Sequence, residues 1–537
     1  MIAPRTMFWV GSAVCGAASV AVAAIDHGAL WLPGIVFFVI ALGVYDVVQT
    51  THTIRRNFPL AGRLRYFFEL IRPELQQYFV ESNTDGRPFG RDLRSLVYQR
   101  AKNVTDTVPF GTEKDVYAVG YEWMNHSLRA IHPPDESPRI VIGGPDCLKP
   151  YSAAVMNVSA MSYGSLSKNA ILALNKGAKM GGFAHNTGEG GLTPHHLEGG
   201  GDIVWQVGTG YFGCRDANGN FDPERFAAKA ATDAVKMIEI KLSQGAKPGH
   251  GGILPARKVT PEIAEIRHVP LGVDVISPPS HSAFSTPIGL CQFIKQLRDL
   301  SGGKPIGFKL CLGTRRELFA LCKAMMETGI TPDFITVDGG EGGTGAAPLE
   351  FSNVIGTPLT EALVFVHNAL RGCGLRDRIR VIASGRVVTA FDIAHKIAIG
   401  ADLVNSARAM MFALGCIQAQ RCNTNDCPTG IATQEPSLVS GLVVADKAVR
   451  VANYQRNTVR AFVELIAAAG LSHPSGLRPW HIHRRITATE SKHYGEIFDY
   501  LEKGELLGET IPKDYARSWA QAQAHTFEPA VLDERVS

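Results

Sequence analysis

Three cysteines stand close enough together in the sequence to hold one metal cluster. They are Cys416, Cys422 and Cys427 in the string GCIQAQRCNTNDCPTG, a C-x₅-C-x₄-C spacing followed by proline. Thiolates this close can ligate an iron–sulfur cluster, and a proline after the last cysteine is typical of ferredoxin-type ligation. Three ligands rather than four indicate a 3Fe–4S cluster or a cluster with an outside ligand. Zinc is the alternative, but no histidine stands nearby, so a zinc site would need a distant one.

A glycine-rich string, DGGEGGTGAAP at 338–348, suits close approach of the backbone to a flat or phosphorylated ligand; the alternative is a tight loop without one. Two further strings, 384–386 (Ser-Gly-Arg) and 406–408 (Ser-Ala-Arg), each follow a strand-like run. Barrel enzymes commonly bind phosphate with the loops after their last two strands. These motifs predict a phosphate-bearing cofactor such as FMN, with Lys309 supplying positive charge near the reduced flavin. The residues predicted to bind the cofactor are Asn186, Thr187, Lys309, Gly343, Thr344, Gly345, Ser384, Gly385, Arg386, Ala407 and Arg408.

A second glycine pattern, GTGYFG at 208–213, matches a dinucleotide-binding fingerprint by spacing alone. A true fingerprint turns directly into a helix within a βαβ unit. Here the string runs into CRDANGNFDPE, which reads as a polar turn. The sequence therefore predicts no nicotinamide site at this position.

The elements that must position these motifs are short β-rich runs alternating with helical stretches. Eight such runs predict an α/β fold, a (β/α)₈ TIM barrel over residues 151–435, because the strand count and the span both fit. Residues 55–150 are expected to be a lead-in segment that packs on the barrel, and 436–537 a helical C-terminal extension. The predicted strands are 155–161, 182–187, 236–242, 273–277, 306–312, 333–338, 380–384 and 402–407.

The first 54 residues differ in composition from the rest of the chain. The whole chain carries 54 basic and 50 acidic residues, a net charge of +4 that gives no reason to expect nucleic-acid binding. Residues 1–54 contain only Arg5, Asp26 and Asp46 as charged residues. The uncharged stretches Met7–Ile25 and Gly28–Tyr45 (the second continuing to about residue 48) are each near the length of a membrane span.

We therefore predict that residues 1–54 form a hairpin of two transmembrane helices in the inner (cytoplasmic) membrane. Basic residues flank both ends of the hairpin, which places the body in the cytoplasm by the positive-inside rule. A secretory signal peptide or an uncleaved signal anchor is the alternative. The arginine- and aromatic-rich stretch that follows is expected either to lie on the membrane surface or to pack on the body as an amphipathic helix.

Four strings together resemble the FMN-binding synthase domain of glutamate synthase, over roughly residues 150–440. They are NTGEGG at 186–191, SQGAKPGHGGILPARKV at 243–259, the loop at 338–348 and the cysteine cluster. The resemblance implies a (β/α)₈ barrel that carries FMN and a 3Fe–4S cluster. It also implies that ammonia is joined to 2-oxoglutarate and that the 2-iminoglutarate is reduced by hydride from flavin N5.

The resemblance assigns roles to individual residues of this chain. The three cysteines correspond to the cluster ligands, and Glu189 and Lys247 to catalytic positions lining the flavin and 2-oxoglutarate pocket. A lysine there can hold a carboxylate or polarise an imine. The residues expected to contact the substrate are Ser162, Tyr211, Lys247 and His250.

Two departures from the family pattern bear on the substrate. Tyr211 stands where the long multidomain enzymes carry arginine, and Ile253 where they carry glutamine; in the family both positions help to hold 2-oxoglutarate. Losing an arginine that can bind a carboxylate through two hydrogen bonds favours, as an alternative, another 2-oxo acid or an amino acid. Arg215, Lys258 or His250 could compensate. A third alternative is a membrane redox protein without an organic substrate.

The pattern is closer to short, stand-alone, membrane-anchored members than to the long enzymes. No amidotransferase or nicotinamide domain is recognisable, so ammonia is expected to come free or from a partner. Electrons are expected to arrive through the cluster from ferredoxin, a separate reductase subunit or a membrane carrier. The remaining expected partner is membrane lipid.

Overall fold

The computed structural model describes residues 3–104 and 107–532. The predicted segments reach beyond these limits, and their parts at 1–2, 105–106 and 533–537 lie outside the described residues. The chain divides into two compact units, Met1–Arg91 and Asp92–Ser537.

The first unit is helical. Its two long helices pack against each other through small residues, since a Cβ at Gly43 would overlap the Phe8 ring. The segments Pro4–Ile25 and His27–Val48 are each 22 residues long and apolar enough to cross a membrane. Asp46 is fully buried and pairs with Arg63 through two contacts of 2.8 Å. The helical segments of this unit are Pro4–Ile25, His27–Ala29, Trp31–Val48, Thr53–Asn57, Ala61–Leu75 and Gln76–Val80.

The second unit is built around a closed barrel of eight parallel strands, so the predicted fold class is confirmed. Each strand pairs with its sequence neighbours, and the eighth pairs with the first. The strands are β1 Met156–Val158, β2 His185–Asn186, β3 Ile203–Val207, β4 Val235–Lys241, β5 Ile306–Cys311, β6 Phe334–Asp338, β7 Arg380–Ser384 and β8 Leu403–Ser406.

The predicted set of strands needs two corrections, one strand that was missed and one that lies elsewhere. Strand β3, the fully buried run IVWQV, was not among the predicted strands. The predicted strand 273–277 lies outside the barrel, where Val275–Ile276 pairs antiparallel with Ile253–Leu254. A short β-rich run packs equally well in a hairpin or in a barrel, because its preference depends on the neighbours it meets and not on the run itself.

Helices surround the barrel and follow most of its strands. The helix Val444–Ala468 packs closely on Lys168–Gly181, since a Cβ at Gly177 would lie 2.8 Å from the Ala448 carbonyl oxygen. The α-helices of the second unit are Arg91–Lys102, Lys168–Gly181, Pro194–Leu197, Pro223–Ala230, Pro261–Arg267, Pro287–Leu300, Arg315–Thr328, Leu349–Val354, Leu359–Gly372, Ala390–Ala398, Arg408–Leu414, Pro436–Ser440, Val444–Ala468, Tyr494–Ile497 and Lys513–Gln521.

Two further small sheets lie outside the barrel, besides the pair formed by Ile253–Leu254 and Val275–Ile276. The hairpin Arg139–Ile142 with Tyr151–Ala154 packs Ile142 and Tyr151 into an apolar cluster with residues that begin several barrel strands. It therefore closes the amino-terminal end of the barrel and leaves the opposite end for the loops that carry the predicted motifs. In the C-terminal extension, Ile482–Arg485 pairs with Glu122–Met124 on one side and with Ser491–His493 on the other, so the extension contains strands as well as the predicted helices.

Candidate active site

A buried carboxylate, Glu239, organises the interior of the barrel. Its Oε1 accepts hydrogen bonds from Asn186 Nδ2 at 2.8 Å and Gln206 Nε2 at 2.7 Å, and its Oε2 accepts one from Thr336 Oγ1 at 2.6 Å. These four side chains come from strands β2, β3, β4 and β6. Because three side chains from three other strands donate to this one buried side chain, the network ties together the strands that carry the site.

Lys309 lies in the same interior and pairs with Asp338, with Nζ and Oδ2 3.0 Å apart. Burial alone would lower the pKa of Lys309, but Asp338 and Glu239 outweigh it and raise that pKa. Lys309 is therefore a fixed cation at the carboxyl ends of β5 and β6. Asp338 Oδ2 also accepts a hydrogen bond from the Gly245 backbone N–H at 3.0 Å, which ties the loop after β4 to the end of β6.

Glu189, in the loop after β2, pairs with Lys241 at the end of β4, with Oε2 and Nζ 2.8 Å apart. Burial works to raise the pKa of Glu189, but Lys241, Lys247 and Arg267 together lower it. The carboxylate is thus held ionised among three cations. A Cβ at Gly252 would overlap this carboxylate, so glycine at 252 leaves the space that Glu189 occupies.

Lys247 lies in the loop after β4 and donates from Nζ to the Ala346 carbonyl oxygen at 2.8 Å. Burial lowers its pKa to about 8, the nearby Glu189 charge opposing that shift and Lys241 adding to it. A Cβ at Gly245 would overlap the Gly339 carbonyl oxygen, and the Ala246 N–H donates to Gly340 O at 3.1 Å. The Lys247 loop therefore lies directly against the glycine loop that follows β6.

The predicted phosphate cradle brings two arginines together. Arg408 donates to the Glu341 carbonyl oxygen at 2.8 Å, and a Cβ at Gly343 would lie 2.8 Å from Arg408 Cδ. Burial and, after it, the charge of Arg386 together lower the pKa of Arg408 to about 10, against the opposing charges of Asp338 and Glu341. Arg386 has a backbone φ of 48°, a conformation that side chains rarely adopt. An anion between the two guanidinium groups would relieve their repulsion, which fits a bound phosphate.

Other predicted cofactor residues are occupied within the protein. Asn186 is committed to Glu239, and the Thr187 hydroxyl donates to the Gly188 carbonyl oxygen at 2.9 Å. Thr344 Oγ1 lies 3.4 Å from Ala346 O, and Gly345 packs near Ser165.

The predicted substrate residues Ser162 and His250 border this region. Ser162 Oγ lies 3.4 Å from a guanidinium nitrogen of Arg267, and its backbone contacts the loop of Glu189 closely, since a Cβ at Gly188 would lie 2.7 Å from Ser162 N. His250 Nδ1 lies 2.9 Å from Gly251 O, and its ring packs edge-on against Phe351.

Tyr211, the third predicted substrate residue, has its hydroxyl engaged within the protein. The oxygen accepts a hydrogen bond from the Ala283 N–H at 3.1 Å and lies 2.9 Å from His281 Nδ1. His281 Nε2 lies 2.9 Å from the Lys241 carbonyl oxygen. Burial lowers the pKa of His281 to about 4, so the ring is neutral at physiological pH. In the tautomer that satisfies all three contacts, His281 Nε2 donates to the Lys241 carbonyl oxygen and Nδ1 accepts a hydrogen bond from the Tyr211 hydroxyl, which in turn accepts from the Ala283 N–H.

Several site residues were missed from the sequence, namely Lys241, Glu239, Arg267, His281 and Asp338. A signal existed for two of them. Glu239 and Lys241 occupy alternate positions of the run KMIEIKL, where charged residues in a buried strand indicate an interior polar site. Arg267 is fully buried, stacks over Phe212 and donates to Tyr163 O at 2.8 Å. Burial lowers its pKa to about 10, opposed by Glu189.

The cysteine segment follows the helix Arg408–Leu414. The Cys416 carbonyl oxygen accepts a hydrogen bond from Tyr98 OH at 2.6 Å. Burial, aided by the nearby Cys422 and Cys427, raises the pKa of Cys416 to about 12, against an opposing hydrogen bond from the Gln418 backbone N–H. For Cys427 burial acts in the same direction, but the Thr429 hydroxyl and backbone N–H groups reverse it and lower the pKa. Soft thiolate donors and backbone N–H groups directed at sulfur fit an iron–sulfur cluster.

Lys258 lies beside this segment and is 2% exposed. Its Nζ donates to the carbonyl oxygens of Cys422 and Ala432, both at 2.7 Å, and of Ser165 at 3.2 Å. Burial lowers its pKa to about 8, opposed by Cys422 and Cys427. Within 3–104 and 107–532, no group of three or more His, Cys, Asp or Glu side chains has the arrangement of a formed metal site.

Comparison with known proteins identifies relatives over most of the chain. The model of the conserved region in glutamate synthase matches residues 135–472. The glutamate synthase large subunit-like protein YerD of Bacillus subtilis (strain 168) is 39% identical over 482 residues, which cover 82% of this chain and 91% of that protein. The archaeal glutamate synthase (NADPH) of Methanocaldococcus jannaschii is 38% identical over 322 residues, which cover 60% of each chain. Among solved structures, mandelate oxidase with (S)-2-phenylpropionate matches at 15% identity with a TM-score of 0.38, covering 75% of this chain and 98% of that one.

Proposed function

This chain belongs to the glutamate synthase family, and on that premise we propose that it reduces the imine of 2-oxoglutarate and ammonia to glutamate. The observation that carries the proposal is the cluster of Glu189, Lys241 and Lys247 against the glycine loop. In this proposal the Lys247 ammonium binds a carboxylate of the oxo acid, since a buried cation discriminates strongly for an anion. The ionised Glu189 binds the nitrogen-bearing group, which is cationic as ammonium or as a protonated imine.

We propose FMN as the hydride donor. Arg386 and Arg408 would hold its phosphate, the glycine loop would allow its ring system close approach, and Lys309 would stabilise negative charge on the ring. The adjacent guanidinium groups and the fixed Lys309–Asp338 pair support this placement. When bound, FMN supplies the hydride from N5 to the imine carbon.

We propose a 3Fe–4S cluster held by Cys416, Cys422 and Cys427 as the entry point for electrons. The spacing of the cysteines and the N–H groups directed at Cys427 support it. The donor would be ferredoxin, a reductase subunit or a membrane carrier. A membrane carrier is testable by measuring FMN reduction in membranes with and without added quinol, where indifference to quinol contradicts it.

The test of the function is an anaerobic reoxidation assay. The protein is purified without oxygen, its spectrum is recorded, and reoxidation of its reduced flavin is followed with 2-oxoglutarate plus ammonia. Glutamate formation supports the proposal. Absence of flavin from the purified protein contradicts the proposal. Reoxidation only by other 2-oxo acids or amino acids favours an oxidoreductase for a different substrate, and no reoxidation by any small molecule favours a redox protein without an organic substrate.

A second candidate substrate is a 2-oxo acid that lacks a second carboxylate. It is favoured by the Tyr211 hydroxyl, which is engaged with His281 and Ala283 and carries no charge for a distal carboxylate. A panel of 2-oxo acids with and without a second carboxylate separates the two candidates by the ratio kcat/KM. A preference for 2-oxoglutarate of tenfold or more would remove this candidate, since about 1.4 kcal/mol of binding is then directed at the second carboxylate.

We also propose that Pro4–Ile25 and His27–Val48 anchor the protein in the cytoplasmic membrane with both ends in the cytoplasm. Their length and apolar composition support it. Retention in the membrane pellet after alkaline carbonate washing tests the anchor. Protection of a tag at either terminus from protease in intact spheroplasts tests the topology, and cleavage there contradicts it.

A further inference from the structure

Lys258 is a buried cation whose surroundings fix its protonation. Its three hydrogen bonds run to backbone carbonyl oxygens, which can only accept. A neutral amine has two N–H groups, whereas an ammonium has three. Three acceptors at 2.7–3.2 Å therefore require the charged form.

The charge of Lys258 has no carboxylate partner among the residues that the structure describes. Burying a cation without an anion is costly, and carbonyl dipoles compensate only part of that cost. The contact of its Nζ with the Cys422 carbonyl oxygen, at 2.7 Å, places the ammonium beside the three-cysteine segment. The adjacent Arg257 is exposed and donates to Thr424 O of the same cysteine segment.

The three carbonyl groups come from separate parts of the chain. Ser165 belongs to the loop after β1, Cys422 to the cysteine segment, and Ala432 to the stretch that follows it. Lys258 itself ends a short 3-10 turn, Ala256–Lys258, beyond the Lys247 loop. The ammonium is thus held at one place beside the cysteine segment and has no N–H left for a sulfur atom.

We propose that Lys258 is the built-in counter-cation of the three-cysteine cluster and that its charge raises the cluster's reduction potential. The inference rests on the proposed cluster. A cluster bound by three thiolates is anionic, and taking up one electron from an external donor makes it more so. A fixed cation stabilises the more negative form, and it acts through space because its N–H groups are used elsewhere. No bond is made or broken and no proton moves in this step.

The test is an EPR-monitored redox titration of the full-length protein with three variants. Lys258→Met and Lys258→Gln remove the charge, while Lys258→Arg keeps it. The matched control is Lys304→Met. Lys304 is also buried and donates to two carbonyl oxygens, those of Ala230 and Thr232. It lies just before β5, at the end of the barrel opposite to the cysteine segment. We expect the two neutral variants to lose about tenfold or more in the equilibrium constant for reduction, about 59 mV for one electron. Lys258→Arg and Lys304→Met should stay within about 20 mV of the parent protein.

Each outcome supports or overturns the inference. A neutral variant with full iron content and an unshifted potential overturns it. Both neutral variants can also lose iron while Lys304→Met keeps it. In that case, iron retained by Lys258→Arg supports the role of the charge. Iron lost from Lys258→Arg as well overturns the inference, because the side-chain shape and not the charge is then what the segment requires. A parent protein that contains no iron contradicts the proposed cluster itself, which is a different failure.

Discussion

Replacing Lys247 by methionine tests the substrate site most directly. The methionine keeps much of the side-chain volume and removes the ammonium group, whose Nζ lies 2.8 Å from the Ala346 carbonyl oxygen. A hydrogen bond to a charged group contributes about 1.5–3 kcal/mol. At about 1.4 kcal/mol for each factor of ten, KM for the oxo acid should rise by about 10- to 150-fold.

The pH dependence gives a second, independent readout. Burial lowers the pKa of Lys247 from 10.5 to about 8, so the ammonium predominates below pH 8 and is lost above it. KM for the oxo acid in the parent protein should therefore rise as the pH passes above 8. Lys247→Arg keeps its charge throughout this range, so the rise in KM should disappear or move to higher pH.

The assay is anaerobic stopped-flow reoxidation of the reduced flavin at increasing concentrations of oxo acid, on both sides of pH 8. The control is Lys323→Met, since Lys323 donates to the carbonyl oxygens of Trp519 and Ala522 at 2.8 and 2.9 Å, outside the site. It should leave KM unchanged. If Lys247→Met keeps its flavin and its KM stays within about threefold of the parent value, less than about 0.7 kcal/mol, Lys247 does not bind the substrate. Loss of flavin with little change in KM would assign Lys247 to holding the glycine loop.

Three further predictions follow from the geometry. Gly251→Ala should lower the thermal midpoint measured by circular dichroism, because its Cβ would overlap the Ser277 carbonyl oxygen and overpacking lowers the free energy of unfolding by about 1–3 kcal/mol. The control Gly313→Ala should have little effect, since its Cβ would have no atom within 4 Å. An equal midpoint in both would contradict this packing. Cys422→Ser should abolish the cluster's visible absorbance and bound iron, and unchanged iron would remove it from the ligand set. Arg408→Met should weaken FMN binding by about tenfold or more in a fluorescence titration, since one charged hydrogen bond to phosphate is lost; an unchanged Kd would place the phosphate elsewhere.

The features that local sequence specifies were predictable. The cysteine spacing and the string DGGEGGTGAAP each lie within a dozen residues, so a cluster site and a cofactor loop can be predicted from them without the fold, and both stay predictions. The barrel was predictable because alternating buried strands and helices recur along the chain. The identity of one strand was not, since Ile203–Val207 and Val275–Ile276 are both short and β-rich and differ only in the partners they meet.

Pairing across the site could not be predicted because it depends on the closed barrel. Glu189 and Lys241 are 52 positions apart and come together only when β2, β3 and β4 lie side by side. The engagement of the Tyr211 hydroxyl by His281, 70 positions away, is of the same kind. Residue type gave the chemistry of these groups, while their partners are set by topology.

The glycines of the loop after β4 separate what the scaffold requires from what the ligand requires. Cβ atoms at Gly245, Gly251 and Gly252 would overlap Gly339 O, Ser277 O and the Glu189 carboxylate, respectively. Packing therefore requires these three glycines whichever acid is bound. The glycines of the string at 243–259 thus indicate how the loops pack and do not by themselves indicate the substrate. Ile253 and Tyr211 are different, since each is accommodated by ordinary pairing, with Ile276 and with His281. It follows that the choice of oxo acid can change at such positions while Glu189, Lys247 and the barrel remain as they are.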